Sequence, residues 1–395
     1  MKNCEYWIWL QRTLGCGAKI DDFINCFGSA KQLYEAGRSE WLLSGLFTAK
    51  QIEKLTRYSP SESADIIKDC QQNHWDIVTP EDPEYPPLLR EICDYPAVLY
   101  VDGNVECISG ELFIALVGTR NASVYGTRAA TVISSMLSDA GFTVVSGGAL
   151  GVDSAAHNGA LNAGKPTVCV LGCGLGTDYL RENEALRFEI SHNGALVTEF
   201  APFTAASRTT FPMRNRIISG MSLGTVVIEA GERSGSLITA RCAAEQGRDV
   251  FAVPGDVFAS SFNGANRLIH DGAKPVFTAL DIVEEYYYRY PDRLSIENAD
   301  VPLSSALQEY TAANENIITK PKKAEKPTVK AELKPLPAGA GENAKSVYSA
   351  IDGETDLDKI VTESGLSIQN ALSAITELEM YGVIEMLPGR KYKKI

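Results

Sequence analysis

The chain has 395 residues, of which 45% are apolar and 22% charged, a composition typical of a globular protein with two or three domains. No run of 18 apolar residues occurs, so we expect no transmembrane helix, and the first 15 residues lack the cleavage site of a signal peptide. The nine cysteines form no CxxC pair and the four histidines are dispersed. We therefore expect reduced thiols, a cytoplasmic location, and neither a metal nor a cofactor.

Charge is distributed unevenly along the chain. The net charge of −13 argues against nonspecific coating of nucleic acid. Residues 111–280, however, carry 13 basic against 14 acidic side chains, and 11 of the 13 basic ones are arginine. Since the guanidinium fork suits phosphate, this segment predicts a local basic site inside an acidic protein.

The first 70 residues show apolar spacing typical of short helices, over 8–14, 23–33, 41–46 and 49–55, and predict a helical, SAM-like domain. The turn Gly15-Cys16-Gly17 is similar to a helix-hairpin-helix turn, whose free N–H groups can hold a phosphate. Ordinary helix capping by glycine is the favoured alternative. Residues 71–110 predict a connector, because their prolines exclude long helices, with one strand over 97–101.

Residues 111–295 alternate between Val/Ile/Leu runs and amphipathic segments. The runs predict buried parallel strands over 112–118, 142–148, 166–172, 195–200, 224–230 and 249–255. The intervening segments predict helices over 124–140, 152–163, 182–192, 213–221, 236–246 and 265–270. Repeated βα units of this kind indicate an open, extended Rossmann-like sheet.

The C-terminal region divides in two. Residues 296–342 are rich in Lys, Pro, Glu and Ala and predict a flexible linker. Residues 343–395 predict helices over 344–351, 357–364 and 368–381 and then a hairpin, which is a winged-helix outline. The third helix has no Lys or Arg, so docking to a protein is favoured over major-groove reading. Four basic residues of the wing could still contact phosphate: Arg390, Lys391, Lys393 and Lys394.

Ligands of open α/β sheets bind beyond the carboxyl ends of the strands, where five loops carry candidate residues. The candidates combine glycines, arginines and amides: Gly118, Thr119 and Arg120; Gly147 and Gly148; Arg181 and Asn183; Arg208, Arg214, Asn215 and Arg216; and Arg233. Arginines beside the ring of Phe211 are the combination that binds single strands. Each loop taken alone could equally be an ordinary turn or helix cap. Their expected convergence at one edge predicts an anion-binding groove.

Catalytic motifs are not apparent in these loops. The third loop has GxGxG rather than GxGxxG, which disfavours a dinucleotide cofactor. Asp153 and His157 are four residues apart on one helix and could form an acid–base couple, although a capping Asp beside an imidazole is the favoured interpretation. We therefore predict no catalytic residue.

Six stretches together resemble the family of DNA-processing protein A (DprA, also called Smf). They are VGTRNASVYG, VVSGGALGVDSAAHNGAL, VLGCGLGTDYLRENEAL, FPMRNRIISGMS, VVIEAGERSGSLITARCAAEQGRDVFAVPG and NGANRLIHDGA. The resemblance is strong over about residues 80–280, and the two ends fit in architecture. Leu180 and Arg181 depart from the Pro and Lys usual in the family, which leaves the conformation of that loop open.

The resemblance implies a cytoplasmic homodimer that binds single-stranded DNA, protects incoming strands and loads the RecA recombinase during natural transformation. It implies DNA contacts at Arg120, at Arg181 and in the Arg214–Arg216 stretch, and a dimer surface near Leu268 and Ile269.

The alternative function is a nucleotide-binding enzyme of the phosphoribohydrolase type, which is related in fold. Those enzymes use a PGG-x-GT-x-x-E stretch with a reactive glutamate. This chain keeps Gly224, Thr225 and Glu229 but lacks the PGG, which favours binding over catalysis.

Overall fold

The computed structural model describes residues 3–179, 181–301, 303 and 305, and, in the C-terminal region, 336–337, 339–351, 353, 355–387 and 391–394. Contacts divide the chain into two units, 1–315 and 316–395. Most of the predicted linker, residues 306–335, lies outside the described residues, and the finer domain boundaries stay predictions. No helix in the described ranges combines the length and apolarity needed to cross a membrane.

The N-terminal helices are α1 (Cys4–Leu14), α2 (Asp21–Phe27), α3 (Ala30–Ser44), α4 (Ala49–Arg57) and α5 (Ala64–Gln72), followed by the short α6 (Pro87–Arg90). Gly15 ends α1 at φ 92°, and its N–H donates to the Gln11 carbonyl at 2.7 Å, which confirms the capping interpretation. The predicted helix over 23–33 is wrong. Gly28 adopts φ 89° and ends α2, and the Ser29 hydroxyl accepts from the Gln32 N–H to start α3.

A nine-stranded sheet forms the centre of the first unit. Its strands are β1 (Asp76–Val78), β2 (Leu99–Gly103), β3 (Phe113–Val117), β4 (Thr143–Ser146), β5 (Thr167–Val170), β6 (Ala195–Thr198), β7 (Gly224–Val227), β8 (Asp249–Ala252) and β9 (Lys274–Pro275). Their order is β1-β2-β6-β5-β4-β3-β7-β8-β9. Strands β3 to β9 run parallel, and β2 is antiparallel to both β1 and β6. The predicted Rossmann-like sheet is confirmed.

Helices cover both faces of the sheet: α7 (Val124–Asp139), α8 (Val152–Asn162), α9 (Glu184–Asn193), α10 (Thr210–Met221), α11 (Ser236–Glu245), α12 (Asn263–His270) and α13 (Leu280–Tyr287). Successive residues of β3 belong to different cores. Ile114 and Leu116 pack in one hydrophobic cluster, and Ala115 and Val117 pack in the other together with α1 to α4. The N-terminal helices therefore share a core with the sheet.

The second unit contains α14 (Glu342–Ala350), α15 (Leu357–Ser364) and α16 (Ile368–Met380), with β10 (Thr355–Asp356), β11 (Ile384–Leu387) and β12 (Lys391–Lys394). The three strands pair in the order β10-β12-β11. The core is small and aliphatic, with Val347, Ile360 and Leu378 fully buried. The winged-helix prediction is confirmed. Of the predicted wing cations, Lys391 and Lys393 are exposed, and Arg390 lies outside the described residues.

Candidate nucleic-acid interface

The strands β4 to β6 are added on one side of β3, and β7 to β9 are added on its other side. The order of the strands therefore switches between β3 and β7, and the loops after these two strands lead to opposite sides. In open α/β sheets this switch point opens a crevice for ligands. A crevice of about 330 Å³ lies here. Three loops and the starts of α8, α10 and α11 supply its lining: Val117 to Arg120, Ala149, Asp153, Phe211, Pro212, Arg214, Asn215, Ile218, Ser234 to Ser236, Ile238 and Thr239.

The loop after β3 is held tightly at the base of this crevice. A Cβ atom on Gly118 would lie 2.5 Å from Val152 Cγ2 and 2.9 Å from the Glu229 carbonyl oxygen. The Thr119 N–H donates to that same carbonyl at 2.8 Å. Glycine is therefore required by close backbone packing, and the loop presents Arg120 from a fixed base.

Arg120 is the exposed cation of the crevice. Its Cζ lies 5.1 Å from the ring centroid of Phe211, and that ring lies 5.4 Å from the ring of Tyr179. Within the described part of the chain, Arg120 forms no ion pair with a carboxylate. An exposed guanidinium that stacks on an aromatic ring and forms no salt bridge with a described carboxylate is available to an anionic ligand.

Arg214 also lines the crevice, but it is 5% exposed. Its Nη1 donates to the carbonyl oxygen of Gly147 at 2.7 Å and to that of Val170, so the guanidinium binds the carboxyl ends of β4 and β5. Burial lowers the pKa of Arg214, and the neighbouring Asp153 opposes that shift. A Cβ on Gly147 would lie 2.5 Å from Arg214 Nη1, which gives this glycine a packing role.

The remaining polar candidates near Arg214 have intramolecular partners. Gly148 adopts φ 65°, and a Cβ there would lie 2.5 Å from Cys169 Sγ. The Asn183 amide is buried and donates to the Gly148 carbonyl at 3.0 Å. The Asn215 amide oxygen accepts from Arg214 Nε at 3.1 Å. These residues shape the crevice from within.

Arg216 lies away from the crevice lining and is 6% exposed. Its Nη2 is 2.5 Å from Glu199 Oε2, and its Nε is 3.6 Å from Asp94 Oδ2. Burial raises the pKa of Glu199, and the Arg216 charge opposes that rise. A Cβ on Gly17 would lie 3.5 Å from Arg216 Nε, so this ion pair faces the N-terminal helical region.

Three further predicted arginines are exposed on loops at this edge of the sheet. Arg181 pairs with Asp178, whose Oδ2 accepts from the arginine Nε at 3.0 Å. Arg208 precedes α10 and Arg233 precedes α11, and neither forms an ion pair with a described carboxylate. These three lie outside the crevice lining, so the structure does not gather all six arginines into one groove.

The third loop is shaped by ring packing. A Cβ on Gly172 would lie 2.7 Å from Phe211 Cδ1, and Gly176 lies against the ring of Phe203. The glycines of this loop therefore make room for aromatic rings. Sequence reasoning noted Phe211 but missed Tyr179 as its neighbour, since the two are 32 positions apart.

The possible acid–base couple is buried. The Asp153 carboxylate accepts from the Ala149 N–H at 3.3 Å, and burial raises its pKa. His157 is fully buried, with Nδ1 2.8 Å from Thr167 Oγ1. Burial, followed by the charge of Arg214, lowers the pKa of His157 to about 3. Asp153 does not cap α8, whose N-cap Gly151 receives no side-chain hydrogen bond, so the capping interpretation is wrong. The buried, neutral imidazole of His157 packs inside the core.

Glu229, the glutamate of the enzymatic alternative, is 1% exposed. Its Oε2 accepts from the Ser123 N–H at 2.9 Å and from the Ser123 hydroxyl at 2.8 Å. The carboxylate therefore caps the N-terminus of α7 and does not line the crevice. Across the described ranges, no group of three or more His, Cys, Asp and Glu is placed to hold a metal ion.

The predicted dimer residues lie on α12, at the far side of β8. Leu268 and Ile269 are half-buried, and Leu268 lines a second cleft of about 860 Å³ between α11, α12 and β9. This cleft carries both signs of charge, with Arg241, Arg267 and Asp271 at its margin.

The fold and the crevice define a class, the Rossmann-like α/β proteins that carry a winged-helix unit. Residues 76–287 match the family model of DNA recombination-mediator protein A, and residues 331–390 match the DprA winged helix domain. The chain belongs to the DNA-processing protein A (DprA/Smf) family.

Relatives and solved structures agree with this membership. Protein Smf of Synechocystis is 32% identical over 367 residues, 88% of this chain and 87% of the relative. The DNA processing protein DprA of Bacillus subtilis is 42% identical over 51% of this chain and 68% of its own length. The Streptococcus pneumoniae DprA structure superposes with a TM-score of 0.62 at 31% identity, covering 72% of this chain and 99% of that one. A Helicobacter pylori DprA structure, described for its unique single-stranded DNA binding mode, superposes with a TM-score of 0.50 at 27% identity. The match covers 55% of this chain and 99% of that one.

Proposed function

We propose that this protein binds single-stranded DNA along the carboxyl edge of its main sheet, and that it acts by binding rather than catalysis. The observation that carries the proposal is Arg120, which is exposed, stacks on Phe211 at the switch point and forms no ion pair with a carboxylate among the described residues. The single-stranded DNA binding named for the Helicobacter pylori relative supports it.

The chemistry of the crevice favours an unpaired strand. A guanidinium attracts a phosphate, and aromatic rings beside it stack bases, which only a single strand exposes. The crevice of about 330 Å³ is too small for a duplex and large enough for a base or a phosphate with its sugar. The net charge of −13 disfavours nonspecific coating of nucleic acid, so binding is proposed only at local sites such as this crevice.

The predicted contact residues fall into two groups. Direct contact with DNA is proposed for the exposed set, with backbone help from the loop after β3: Gly118, Thr119, Arg120, Arg181, Arg208 and Arg233. A supporting role is proposed for the buried set, which fixes the loops: Gly147, Gly148, Asn183, Arg214, Asn215 and Arg216. The distinction rests on the burial of the second set and on its internal hydrogen bonds.

The biological role follows from family membership as a further proposal. We infer that the protein protects incoming single strands and loads the RecA recombinase onto them in natural transformation, in the cytoplasm. We further propose a homodimer formed through Leu268 and Ile269, since both side chains are half-buried on α12 and Leu268 lines the larger cleft.

A titration of fluorescent single- and double-stranded oligonucleotides tests the proposal, with the mass of the protein measured alongside. We expect preferential binding of the single strand, weakened by Arg120→Ala. Arg289→Ala is the matched control, because Arg289 is also exposed and stacks on a ring, Tyr290, at 5.3 Å. Arg289 follows α13 and lies outside the crevice lining. The same segment contains Arg293, whose backbone packs against Gly141 just before β4, at the amino edge of the sheet. Equal affinity for both strand types would contradict the proposal.

The enzymatic alternative has its own test. Incubation with nucleoside monophosphates, assayed for released base, should yield no product. Release that is abolished by Glu229→Gln would overturn the non-enzymatic assignment.

A further inference from the structure

An apolar patch lies at the carboxyl edge of the sheet, beyond the arginine loops. Four large apolar side chains form it: Val124 at 69% exposed, Tyr125 at 51%, Val257 at 74% and Phe258 at 95%. We call these four residues the rim patch. Exposing apolar surface costs free energy in water, and exposed apolar side chains on two neighbouring loops favour an interaction site.

The rim patch is built on a fixed backbone. The Tyr125 hydroxyl donates to the Pro254 carbonyl at 2.9 Å, which joins the start of α7 to the loop after β8. The Tyr125 ring packs against Phe262 at 5.6 Å. Asp256 closes a turn by accepting from the Phe258 N–H at 2.9 Å, and the Phe258 side chain on this turn is 95% exposed.

Continuity with the arginine loops identifies the occupant. The loop that presents Arg120 ends at Ser123, and Val124 and Tyr125 follow it directly as the first residues of α7. The loop with Arg233 follows β7, which lies between β3 and β8 in the sheet. Since neighbouring strands are about 4.8 Å apart, the loops of β3 and β8 begin about 10 Å from each other. A strand bound at Arg120 can therefore reach the rim patch.

We propose that the rim patch binds unpaired bases of the same single strand whose phosphates bind at Arg120, with Phe258 as the stacking ring. This inference rests on the proposed function and extends it to a second subsite. The Asp256 carboxylate beside Phe258 repels phosphate, so the sugar–phosphate backbone runs on the side of Arg120 and Arg233 and the bases turn toward the patch. A duplex keeps its bases stacked inside, so this subsite also selects for single strands.

The test compares wild type and Phe258→Ala on a 20-nucleotide thymidine strand and on a strand of equal length with abasic sites. Loss of a base–aromatic stack weakens binding by about tenfold. We expect that loss on the thymidine strand, little or none on the abasic strand, and wild-type affinity for Phe258→Trp. Tyr288→Ala is the matched control, since Tyr288 is 96% exposed at the end of α13 and lies outside the patch.

The outcomes separate the two proposals. If the wild type binds neither strand, the proposed function fails. If the wild type binds and Phe258→Ala binds equally well, or loses the same factor on both strands, the rim patch does not hold bases. A lower molecular mass for Phe258→Ala without DNA would assign the patch to a second copy of the chain and overturn the inference.

Discussion

Arginines occur in two layers of the main unit, and the layers have opposite physical characters. At the exposed edge of the sheet, Arg120 stacks on a ring and forms no ion pair with any carboxylate that the structure describes. Beneath that edge, Arg214 binds carbonyl oxygens and Arg216 binds Glu199, both almost fully buried. The three side chains carry the same guanidinium group and differ in burial and in partners. The environment of a guanidinium, rather than its residue type, therefore determines whether it is available to a ligand or fixed within the fold.

The largest expected effect is a loss of stability when the buried ion pair of Arg216 and Glu199 is removed. Arg216→Met leaves Glu199 buried without its partner, which costs about 3–5 kcal/mol of unfolding free energy. Denaturant unfolding measures this loss. Adding Glu199→Leu should restore much of it, because the orphaned charge is then removed, and Arg120→Met should leave stability nearly unchanged. A stable Arg216→Met single variant would show that the two layers do not differ.

A second prediction concerns the pH dependence of stability that comes from His157, which is buried near Arg214. The pKa of His157 is lowered to about 3 by burial and by Arg214, so the unfolded chain binds this proton from about pH 6.5 downward while the folded chain does not. Stability from this residue is therefore lost as pH falls, by about 2 kcal/mol between pH 7 and 5. His157→Gln keeps a partner for Thr167 and should reduce the acid loss by that amount.

Two buried carboxyl groups also change the stability as pH falls, so the prediction needs a comparison between wild type and the His157 variant. Burial raises the pKa of Asp153 and Glu199, which opposes the histidine as pH falls, so only the difference between wild type and His157→Gln is diagnostic. Parallel stability curves for the two proteins across pH 7 to 5 would show that His157 does not contribute.

A third prediction sharpens the role of the exposed layer. Arg120→Ala should weaken single-strand binding by about tenfold, the loss expected for one charge-assisted contact, with unchanged thermal unfolding. The slope of log affinity against log salt should become shallower by about 0.7, one phosphate fewer. An unchanged slope would show that Arg120 does not contact a phosphate of the bound strand.

The smallest effect is expected at Arg181, because Asp178 already pairs with it. Arg181→Ala should weaken binding by no more than about threefold, since DNA must first displace an exposed ion pair of small net value. Asp178→Asn should strengthen binding by a similar factor, measured in the same titration. A loss at Arg181 as large as that at Arg120 would show that Asp178 does not compete.

The sheet could be predicted well from the sequence because continuous Val/Ile/Leu runs that alternate with helical segments are typical of buried parallel strands and of few other structures. The strands β1 and β9 could not, since three and two residues carry no periodicity. The break between α2 and α3 was missed because apolar spacing continues across Gly28 and Ser29.

The loops of the site could be predicted, but the depth of their side chains could not. Nothing local distinguishes Arg216 from Arg208, because the partner Asp94 of Arg216 is 122 positions away. The same holds for Glu229, whose Ser123 partner is 106 positions away. Burial of a charge is decided by long-range pairing, which a single sequence does not display.

The central claim is that exposed arginines at one edge of the sheet bind an unpaired strand. The most direct measurement is the affinity of a fluorescent 20-nucleotide strand for a variant with glutamine at positions 120, 181, 208 and 233, beside the wild type. We expect at least a hundredfold loss of affinity with an unchanged unfolding transition. Affinity within threefold of the wild type in a folded variant would contradict it.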